Sequence, residues 1–448
     1  MKDRTALTTQ RHHASYKLAD DPPGGCGPNP SSGFWPRNVL MLVRFFLVLT
    51  LVARAQAQSI EILHDFGVTT TDGNGVPSPL LKDASGNLYG TTSAGGAHNL
   101  GTVYRLSPIS TGGFKETILY SSKGGSADGA SPQGPLVRDS VGNLYGVTLE
   151  GGVAATVCNV ETPSPGCGVI FKLSPAASGA WVETVLHRFT GIDGGNPWCG
   201  LVRDSKGNFY GATPVGGSAG LGTVYKLSLT STGWKETVLH SFAGNSDGAS
   251  PFMFETALTL DGFGNVYGST MQGGAANAGI VFRLVPQAPD VWTEEILYAF
   301  KGGSDGSQPA TGVILDKTGN VYGTTWLGGT HIGSGTVFEL MAAKGYTKSV
   351  LHNFNVLTDP AKSTPHTLLF DASGNLFGTT EEALYKLTHE SSGWTESLIW
   401  AFDNSQDQGA NTVYAPAVMD SQRNFWGTTL WGGLAGPNNG GTAWKIVP

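Results

Sequence analysis

The sequence predicts an all-β protein that folds as a seven-bladed β-propeller, with four antiparallel strands in each blade. Three observations lead to this fold class. A phrase of the form D-x-x-G-N-x-aromatic-G recurs seven times, from DASGNLYG at 83–90 to the variant DSQRNFWG at 420–427. Each copy lies within a unit of four strand-like segments, and the two ends of the repeat region complement each other. Four strands per repeat, at a period of about 50 residues, are typical of propeller blades.

The third repeat shows the four segments clearly. They are residues 200–204 (GLVRD), 208–213 (NFYGAT), 222–228 (GTVYKLS) and 235–242 (KETVLHSF). Each has the length of a strand, is rich in β-branched and aromatic residues, and is separated from the next by turn residues. We expect the first segment to be innermost because it is short and apolar. The fourth is expected to be outermost because it carries the charges that suit an exposed edge.

The ends of the repeat region predict how the ring closes. Residues 59–66 (SIEILHDF) match the fourth segment of a repeat, and residues 441–448 (GTAWKIVP) match the third. Pairing the two would complete the seventh blade and leave no free sheet edge. An open array of repeats would instead need capping units at both ends.

The N-terminal region predicts export. Residues 1–40 are polar and rich in Pro and Gly, and we expect a disordered leader, or residues upstream of a true start at Met41. Residues 41–57 have the basic, apolar and small-residue pattern of a signal peptide, and the apolar part is too short for a permanent membrane span. We therefore expect residues 58–448 to form a propeller that is secreted, periplasmic or on the cell surface, with no membrane span after signal cleavage and no C-terminal anchor.

Charge and cysteine content narrow the function further. The formal net charge is −7, which argues against nucleic-acid binding, and we expect a monomer. Cys158 and Cys167 flank a Pro-rich insertion, and an exported protein permits a disulfide between them. Their spacing does not fit a zinc knuckle. Cys199 is expected to be a small buried residue.

The repeated phrase is predicted to be a structural turn. An Asp side chain can accept backbone N–H groups across such a turn, and the Gly suits a positive φ. The seventh copy has Arg423 in place of that Gly. The aromatic residue is expected to pack between blades. Calcium binding by each Asp is an alternative, but one Asp and one Asn fall short of the roughly six to eight oxygen ligands that Ca²⁺ takes. We predict no metal site and no cofactor. The His at 64, 187, 240 and 352 alternates with Tyr or Trp, which favours a packing position.

Tandem copies of GNLYGTTxxGGxxGxGTVYKL resemble the Gloeobacter/Verrucomicrobia-type (GloVer) tandem repeat of exported bacterial proteins with varied anchors. The D-x-x-G-N-x-Y turn also resembles that of NHL-like propellers. The resemblance covers nearly all of residues 59–448. It implies a propeller and export, and it implies no particular activity.

A second repeated element joins the outer strand of one repeat to the inner strand of the next, with an Asp-Gly pair such as Asp247-Gly248. Blade six lacks this pair. These linkers share a face with the Gly-rich loops, opposite the D-x-x-G-N turns, and we expect ligands on that face. Candidate binding residues are those that differ between copies. They are Trp198, Trp326, His331 and Trp431.

Three functions remain open at this point. The leading hypothesis is an exported, non-enzymatic binding or scaffold module that recognises a polysaccharide or a protein partner. The first alternative is a carbohydrate-active enzyme, a glycosidase or lyase, that uses the irregular carboxylates Glu150, Glu255 and Glu381 on the loop face. The second is a purely structural cell-surface protein. No catalytic residue is predicted, since the common catalytic motifs are missing from the sequence.

Overall fold

The computed structural model describes residues 58–448, except for 70, 159–163, 252–255, 310, 332, 360, 362–363, 403–416 and 434–439. The leader and signal peptide expected within residues 1–57 lie outside the described residues, as does Glu255. Within the described part of the chain, no helix has the length and apolar composition needed to cross a bilayer.

The strands are short and follow one another along the whole described chain. The first sixteen are β1 (Ser59–Asp65), β2 (Gly73–Asn74), β3 (Leu81–Lys82), β4 (Leu88–Thr92), β5 (Ala94–Gly95), β6 (Thr102–Pro108), β7 (Phe114–Ser121), β8 (Gly129–Arg138), β9 (Leu144–Gly151), β10 (Val169–Pro175), β11 (Trp181–Arg188), β12 (Val202–Arg203), β13 (Phe209–Thr213), β14 (Thr223–Thr230), β15 (Gly233–Ser241) and β16 (Gly248–Ala249).

The remaining strands are β17 (Thr259–Leu260), β18 (Val266–Thr270), β19 (Gln272–Gly273), β20 (Ile280–Ala288), β21 (Val291–Ala299), β22 (Ile314–Leu315), β23 (Val321–Thr325), β24 (Thr336–Met341), β25 (Thr347–Asn353), β26 (Pro365–Phe370), β27 (Leu376–Thr380), β28 (Ala383–Glu390), β29 (Gly393–Ala401), β30 (Val418–Met419), β31 (Phe425–Thr429) and β32 (Thr442–Val447). Short 3-10 turns occur at Gly303–Asp305 and Ala342–Lys344.

Within the described residues, these strands form seven four-stranded antiparallel sheets, which are the blades of a propeller. The sheets, from blade 1 to blade 7, are β3-β4-β6-β7, β8-β9-β10-β11, β12-β13-β14-β15, β17-β18-β20-β21, β22-β23-β24-β25, β26-β27-β28-β29 and β30-β31-β32-β1. Two further pairs, β2-β5 and β16-β19, join linkers to the Gly-rich loops. The predicted fold class is confirmed.

Blade 7 contains strands from both ends of the described chain. Strand β1 pairs antiparallel with β32, and the register places Ser59 opposite Val447 and Asp65 opposite Thr442. The backbone N–H of Phe66 extends the pairing by donating to the carbonyl of Gly441 at 2.9 Å. The predicted closure of the ring is therefore confirmed.

The second strand of each blade is the most deeply buried, because neighbouring blades cover both of its faces. All five residues of β13 are buried. Its aromatic residue Tyr210 packs against Leu258, Val266 and Phe282 of blade 4, as predicted for the aromatic position of the phrase. The next residue must be Gly, since a methyl group on Gly211 would collide with the phenol ring of Tyr225 in β14.

Candidate functional site

The D-x-x-G-N turns are closed hydrogen-bonding units. In blade 3, Asp204 Oδ1 accepts the backbone N–H groups of Lys206 and Asn208, both at 2.9 Å. Its Oδ2 accepts the Asn208 side-chain amide at 2.8 Å and the Tyr210 hydroxyl at 3.2 Å. Burial opposes ionisation, but these hydrogen bonds outweigh it and lower the pKa of Asp204. The carboxylate is thus fully engaged inside its own turn.

The seventh turn keeps this structure despite its different sequence. Arg423 adopts a left-handed φ of 67°, and its N–H donates to the Asp420 carbonyl at 2.9 Å. Asp420 accepts the Trp426 indole N–H at 3.0 Å. Burial works against ionisation here too, but this bond, those from Asn424 and that from Lys82 lower the pKa of Asp420 to about 2. The exception therefore tolerates backbone strain and leaves the turn unchanged.

The four binding residues predicted on the loop face lie in three different parts of the propeller. Trp326 and His331 lie between β23 and β24. Trp326 is partly buried, with its indole edge-on to the buried His366, and His331 is exposed. Trp431, in blade 7, is 46% exposed. Trp198 is partly buried in the linker before β12. None of these four residues lines either of the two cavities described below.

The candidate acidic residues Glu150 and Glu381 lie in different blades. Glu150 lies in β9 of blade 2, and its backbone carbonyl accepts the Thr148 hydroxyl at 2.9 Å. Glu381 lies in the loop between β27 and β28 of blade 6 and is partly buried. Neither lines the two cavities.

A disulfide bond joins Cys158 to Cys167, and both residues are buried.

The first cavity lies on the propeller axis and has a volume of about 340 Å³. Its wall comes from the innermost segments of six blades. The lining includes Leu81, Leu136, Leu258, Ile314, Leu368 and Val418. All of its lining residues are apolar, Gly or Thr. This confirms that the first segment is innermost in these six blades.

The second cavity is a groove of about 820 Å³ between blades 3 and 4. Its walls are the D-x-x-G-N turns at 204–208 and 261–264 and the β20–β21 hairpin at 286–290. It therefore opens on the turn face, opposite the face where we expected ligands. Trp292 lies in the groove, edge-on to Tyr210 with ring centroids 6.1 Å apart. Phe263 also lines the groove and is 90% exposed.

Charged groups of both signs surround these aromatic rings. Asp290 pairs with Lys226 at 3.8 Å and with Lys235 at 3.4 Å. Arg203 and Lys206 add cationic side chains to the same wall. The groove therefore combines flat apolar surfaces with hydrogen-bonding groups and has no strong excess of either charge.

A third repeated arrangement lies where the outer strands of neighbouring blades meet, and we call each such place a blade junction. Between blades 3 and 4, His240 of β15 and Asp247 of the linker meet Glu294 of β21. His240 Nε2 is 3.3 Å from Asp247 Oδ1 and 3.8 Å from Glu294 Oε1. Backbone N–H groups of Ala243 and Gly248 hold the Asp247 carboxylate, each at 2.8 Å. Burial and the facing Asp247 raise the pKa of Glu294 to about 8.

Four junctions among the described residues carry this set, which we call the junction cluster. The clusters are His64–Asp72–Glu116, His187–Asp193–Glu236, His240–Asp247–Glu294 and His352–Asp359–Glu396. Blade 6 takes part even though its linker lacks the Asp-Gly pair, because Asp359 occupies the same place. Sequence reasoning missed these clusters, since the acidic partner of each linker Asp comes from the following repeat.

The other three junctions lack the complete set. Between blades 1 and 2, the Tyr120 hydroxyl donates to Asp128 at 2.7 Å beside Glu183. Between blades 4 and 5, Tyr298 and Lys348 both contact Asp305. Between blades 6 and 7, Trp400 and Ile60 belong to one apolar cluster.

The fold and its repeated turns define a tandem-repeat β-propeller. Residues 156–385 match the profile of the Gloeobacter/Verrucomicrobia repeat. The chain belongs to this repeat family. No curated protein sequence matches it significantly.

Solved structures share the fold at low sequence identity. A streptogramin B lyase structure is 13% identical over 87% of this chain and 97% of its own, with a TM-score of 0.52. The extracellular domain of a hybrid two-component system from B. thetaiotaomicron is 12% identical over 86% of this chain, with a TM-score of 0.54. The match spans only 39% of that second chain. These similarities show the propeller fold alone.

Proposed function

We propose that the protein is an exported, non-enzymatic binding propeller that holds a polysaccharide chain in the groove between blades 3 and 4. One observation carries the proposal. Phe263 is 90% exposed in that groove, at a turn position where the other copies differ. Those copies have Ser85, Val141, Lys206, Thr318, Ser373 and Gln422. Because Phe263 shares the groove with a second aromatic ring, that of Trp292, a ligand that covers both rings would account for the exposed side chain.

The chemistry of the groove favours a sugar chain. Pyranose rings offer an apolar face that can stack on an aromatic ring, while their hydroxyl groups need hydrogen-bond partners. Phe263 and Trp292 supply the rings, and Arg203, Lys206 and Asn208 supply donors in the same groove. Concave sites with apolar walls and a few placed polar groups are the usual form of ligand sites. The balanced charges fit a neutral polysaccharide.

Two observations support export to the periplasm, the cell surface or the medium. The pattern at 41–57 is that of a signal peptide, and the disulfide between Cys158 and Cys167 suits an oxidising compartment. Glu150 and Glu381 line neither cavity, so we advance no enzymatic function.

A glycan array with residues 58–448 tests the proposal. We expect selective binding of a polysaccharide, and a loss of about tenfold in affinity for Phe263→Ser, because one aromatic stacking contact is removed. Val141→Ser is the matched control, since Val141 is 75% exposed at the equivalent turn of blade 2. It should leave binding unchanged.

Trp326→Ala and Trp431→Ala examine the loop face in the same assay. If the two Trp variants lose binding and Phe263→Ser retains it, the ligand binds on the loop face, and the proposed site in the groove is wrong. No binding to any glycan by the wild-type protein would remove the carbohydrate proposal.

A further inference from the structure

We propose that the four junction clusters are binding sites for a divalent transition-metal ion of the Zn²⁺ class. Each cluster offers one imidazole nitrogen and two carboxylates. The donor atoms of each set lie within 4.8 Å of one another. The inference concerns the blade junctions and is independent of the proposed ligand groove.

In the His64 cluster, the distances suit a shared ion better than direct contacts. His64 Nε2 lies 3.8 Å from Asp72 Oδ1 and 3.7 Å from Glu116 Oε2. Both separations are too long for hydrogen bonds, and this buried nitrogen has no hydrogen-bond partner among the described residues. Ligands at about 2.0–2.2 Å from a tetrahedral zinc ion lie roughly 3.4 Å from one another. A small inward movement of three side chains would therefore complete such a site.

In the other three clusters, the His ring is within hydrogen-bond distance of the Asp carboxylate, at 3.0 Å for His187, 3.3 Å for His240 and 3.1 Å for His352. The Glu lies farther from the ring in each of them. His352 Nε2 is 3.1 Å from Asp359 Oδ2 and 3.5 Å from Glu396 Oε2. The Glu396 side chain is only 5% exposed, and its Oε1 has no hydrogen-bond partner among the described residues. The same oxygen is unpartnered in Glu116, Glu236 and Glu294. Because a buried carboxylate without partners is costly, each Glu needs either a proton or a cation to neutralise it, and a bound metal ion would supply the cation.

At the junction of blades 4 and 5, a lysine side chain supplies a positive charge. Lys348 stands in β25 where Glu236 stands in β15, four residues before the His of its strand. Its side chain is 4% exposed, and its ammonium group is 3.0 Å from Asp305 Oδ1. Tyr298 replaces the His at this junction and donates to the same Asp oxygen at 2.8 Å. The fold therefore accommodates a buried positive charge at the place where the clusters would hold an ion.

At one junction, two of the three ligand types are replaced by apolar residues. At the junction of blades 6 and 7, Trp400 replaces the His and Ile60 replaces the Glu. At the junction of blades 1 and 2, Tyr120 replaces the His while Asp128 and Glu183 remain. Among the described residues, the complete set of three donors is therefore confined to four junctions.

The donor types select the ion. Calcium takes about six to eight oxygen ligands, whereas an imidazole with two carboxylates suits zinc or a similar first-row ion. Backbone N–H groups fix the carboxylate of Asp247, and such outer contacts orient metal ligands. Three protein ligands leave one position for water.

Titration of the untagged 58–448 chain with Zn²⁺ tests the proposal, after treatment with a chelator and with a chromophoric competitor at pH 7.5. We expect four saturable sites, with a rise in Tm on zinc addition. Each single His→Tyr variant, such as His240→Tyr, should bind one ion fewer. Tyr occurs at two native junctions, so the substitution suits the fold, and circular dichroism checks that it does.

Glu183→Gln is the matched control, because the junction of blades 1 and 2 has Tyr120 in place of the imidazole. This variant should keep all four ions. No saturable zinc binding by the wild type would overturn the proposal. So would an unchanged stoichiometry in the variant with all four His replaced by Tyr, since the ions would then sit elsewhere. Saturable binding of Ca²⁺ in preference to Zn²⁺ would exclude the class of ion proposed.

Discussion

The D-x-x-G-N turns and the blade junctions both repeat around a carboxylate, but they satisfy it differently. Asp204 receives four hydrogen bonds from residues within its own turn. At the junctions, an Asp meets groups from two blades, and a glutamate oxygen remains unpartnered. The turns barely vary from blade to blade, whereas the junction residues differ more between copies. A repeated feature that is complete within one blade builds the scaffold, while one that spans two blades can be changed at each junction.

The largest expected effect comes from removing a turn carboxylate. Asp204→Ala leaves two backbone N–H groups, an amide and a buried phenol without their acceptor, so we expect a loss of about 3 kcal/mol in the free energy of unfolding. Urea denaturation measures it. Asp290→Ala is the control, because its pairs with Lys226 and Lys235 are more exposed and should contribute less than about 1 kcal/mol. Equal effects of the two substitutions would contradict the closed-turn description.

The junction glutamates predict that the free energy of unfolding falls as pH rises. The pKa of Glu294 rises from 4.5 to about 8 because of burial and Asp247. Between those values the folded protein keeps a proton that the unfolded chain releases, so stability falls as pH rises through this window. With a chelator present, Glu294→Gln should make the fall with pH shallower and stabilise the protein at pH 9 by about 1–2 kcal/mol, allowing for solvent screening.

Thermal unfolding from pH 4 to pH 9 measures this dependence. The exposed Glu390 provides the control, because Glu390→Gln should leave the profile of the wild type unchanged. Identical profiles for Glu294→Gln and the wild type would refute the raised pKa.

Removing the hydroxyl group from each of two tyrosines tests how much a bonded and an unbonded hydroxyl contribute to stability. The Tyr210 hydroxyl donates to Asp204, whereas the buried Tyr225 hydroxyl has no partner among the described residues. We expect Tyr210→Phe to cost about 1 kcal/mol and Tyr225→Phe to be neutral or stabilising by up to about 1 kcal/mol. Phe171, Phe282 and Phe338 already occupy the position of Tyr225 in other blades. Denaturation midpoints that rank the two variants in the reverse order would contradict this assignment.

The smallest effect concerns the one irregular turn. Arg423 has a left-handed φ that costs a non-Gly residue about 1–2 kcal/mol. Arg423→Gly removes this strain but increases the entropy of the unfolded chain, so we expect a net gain of about 0.5 kcal/mol. Gly374→Arg, at the equivalent turn of blade 6, should have the reverse effect. Differential scanning calorimetry can compare the two, and a gain in both variants would argue against backbone strain.

The sequence predicts the blades because their signals are local. The turn phrase, the four segments around it and the matching ends lead to the strand order, the innermost and outermost strands and the closure of the ring. Even the Asp hydrogen bonds follow from the Asx character of the turn. The hydroxyl of the following Tyr, as a fourth donor to that Asp, could be found only in three dimensions.

The junction clusters were missed because their residues come from two outer strands and a linker. Their alternation between His, Tyr and Trp indicated simple packing. A partial signal was present in the sequence, since Tyr298 occurs with Lys348 and Trp400 with Ile60, whereas Tyr120 occurs with a retained Glu183. The groove was missed for a different reason. Phe263 is an irregular residue, but it lies on the face that we set aside because the turns there are so regular.

Because β1 pairs with β32, the ring of blades is closed within blade 7, which is built from both ends of the described chain. Every other blade is a continuous stretch of chain, so blade 7 can form only after the two ends of the described chain meet. Contacts between such distant residues are slow to form, and we therefore expect ring closure to be a late step of folding. By the same geometry, a circular permutant that joins these ends and opens a linker elsewhere would keep every strand pair and would move the late step to a different blade.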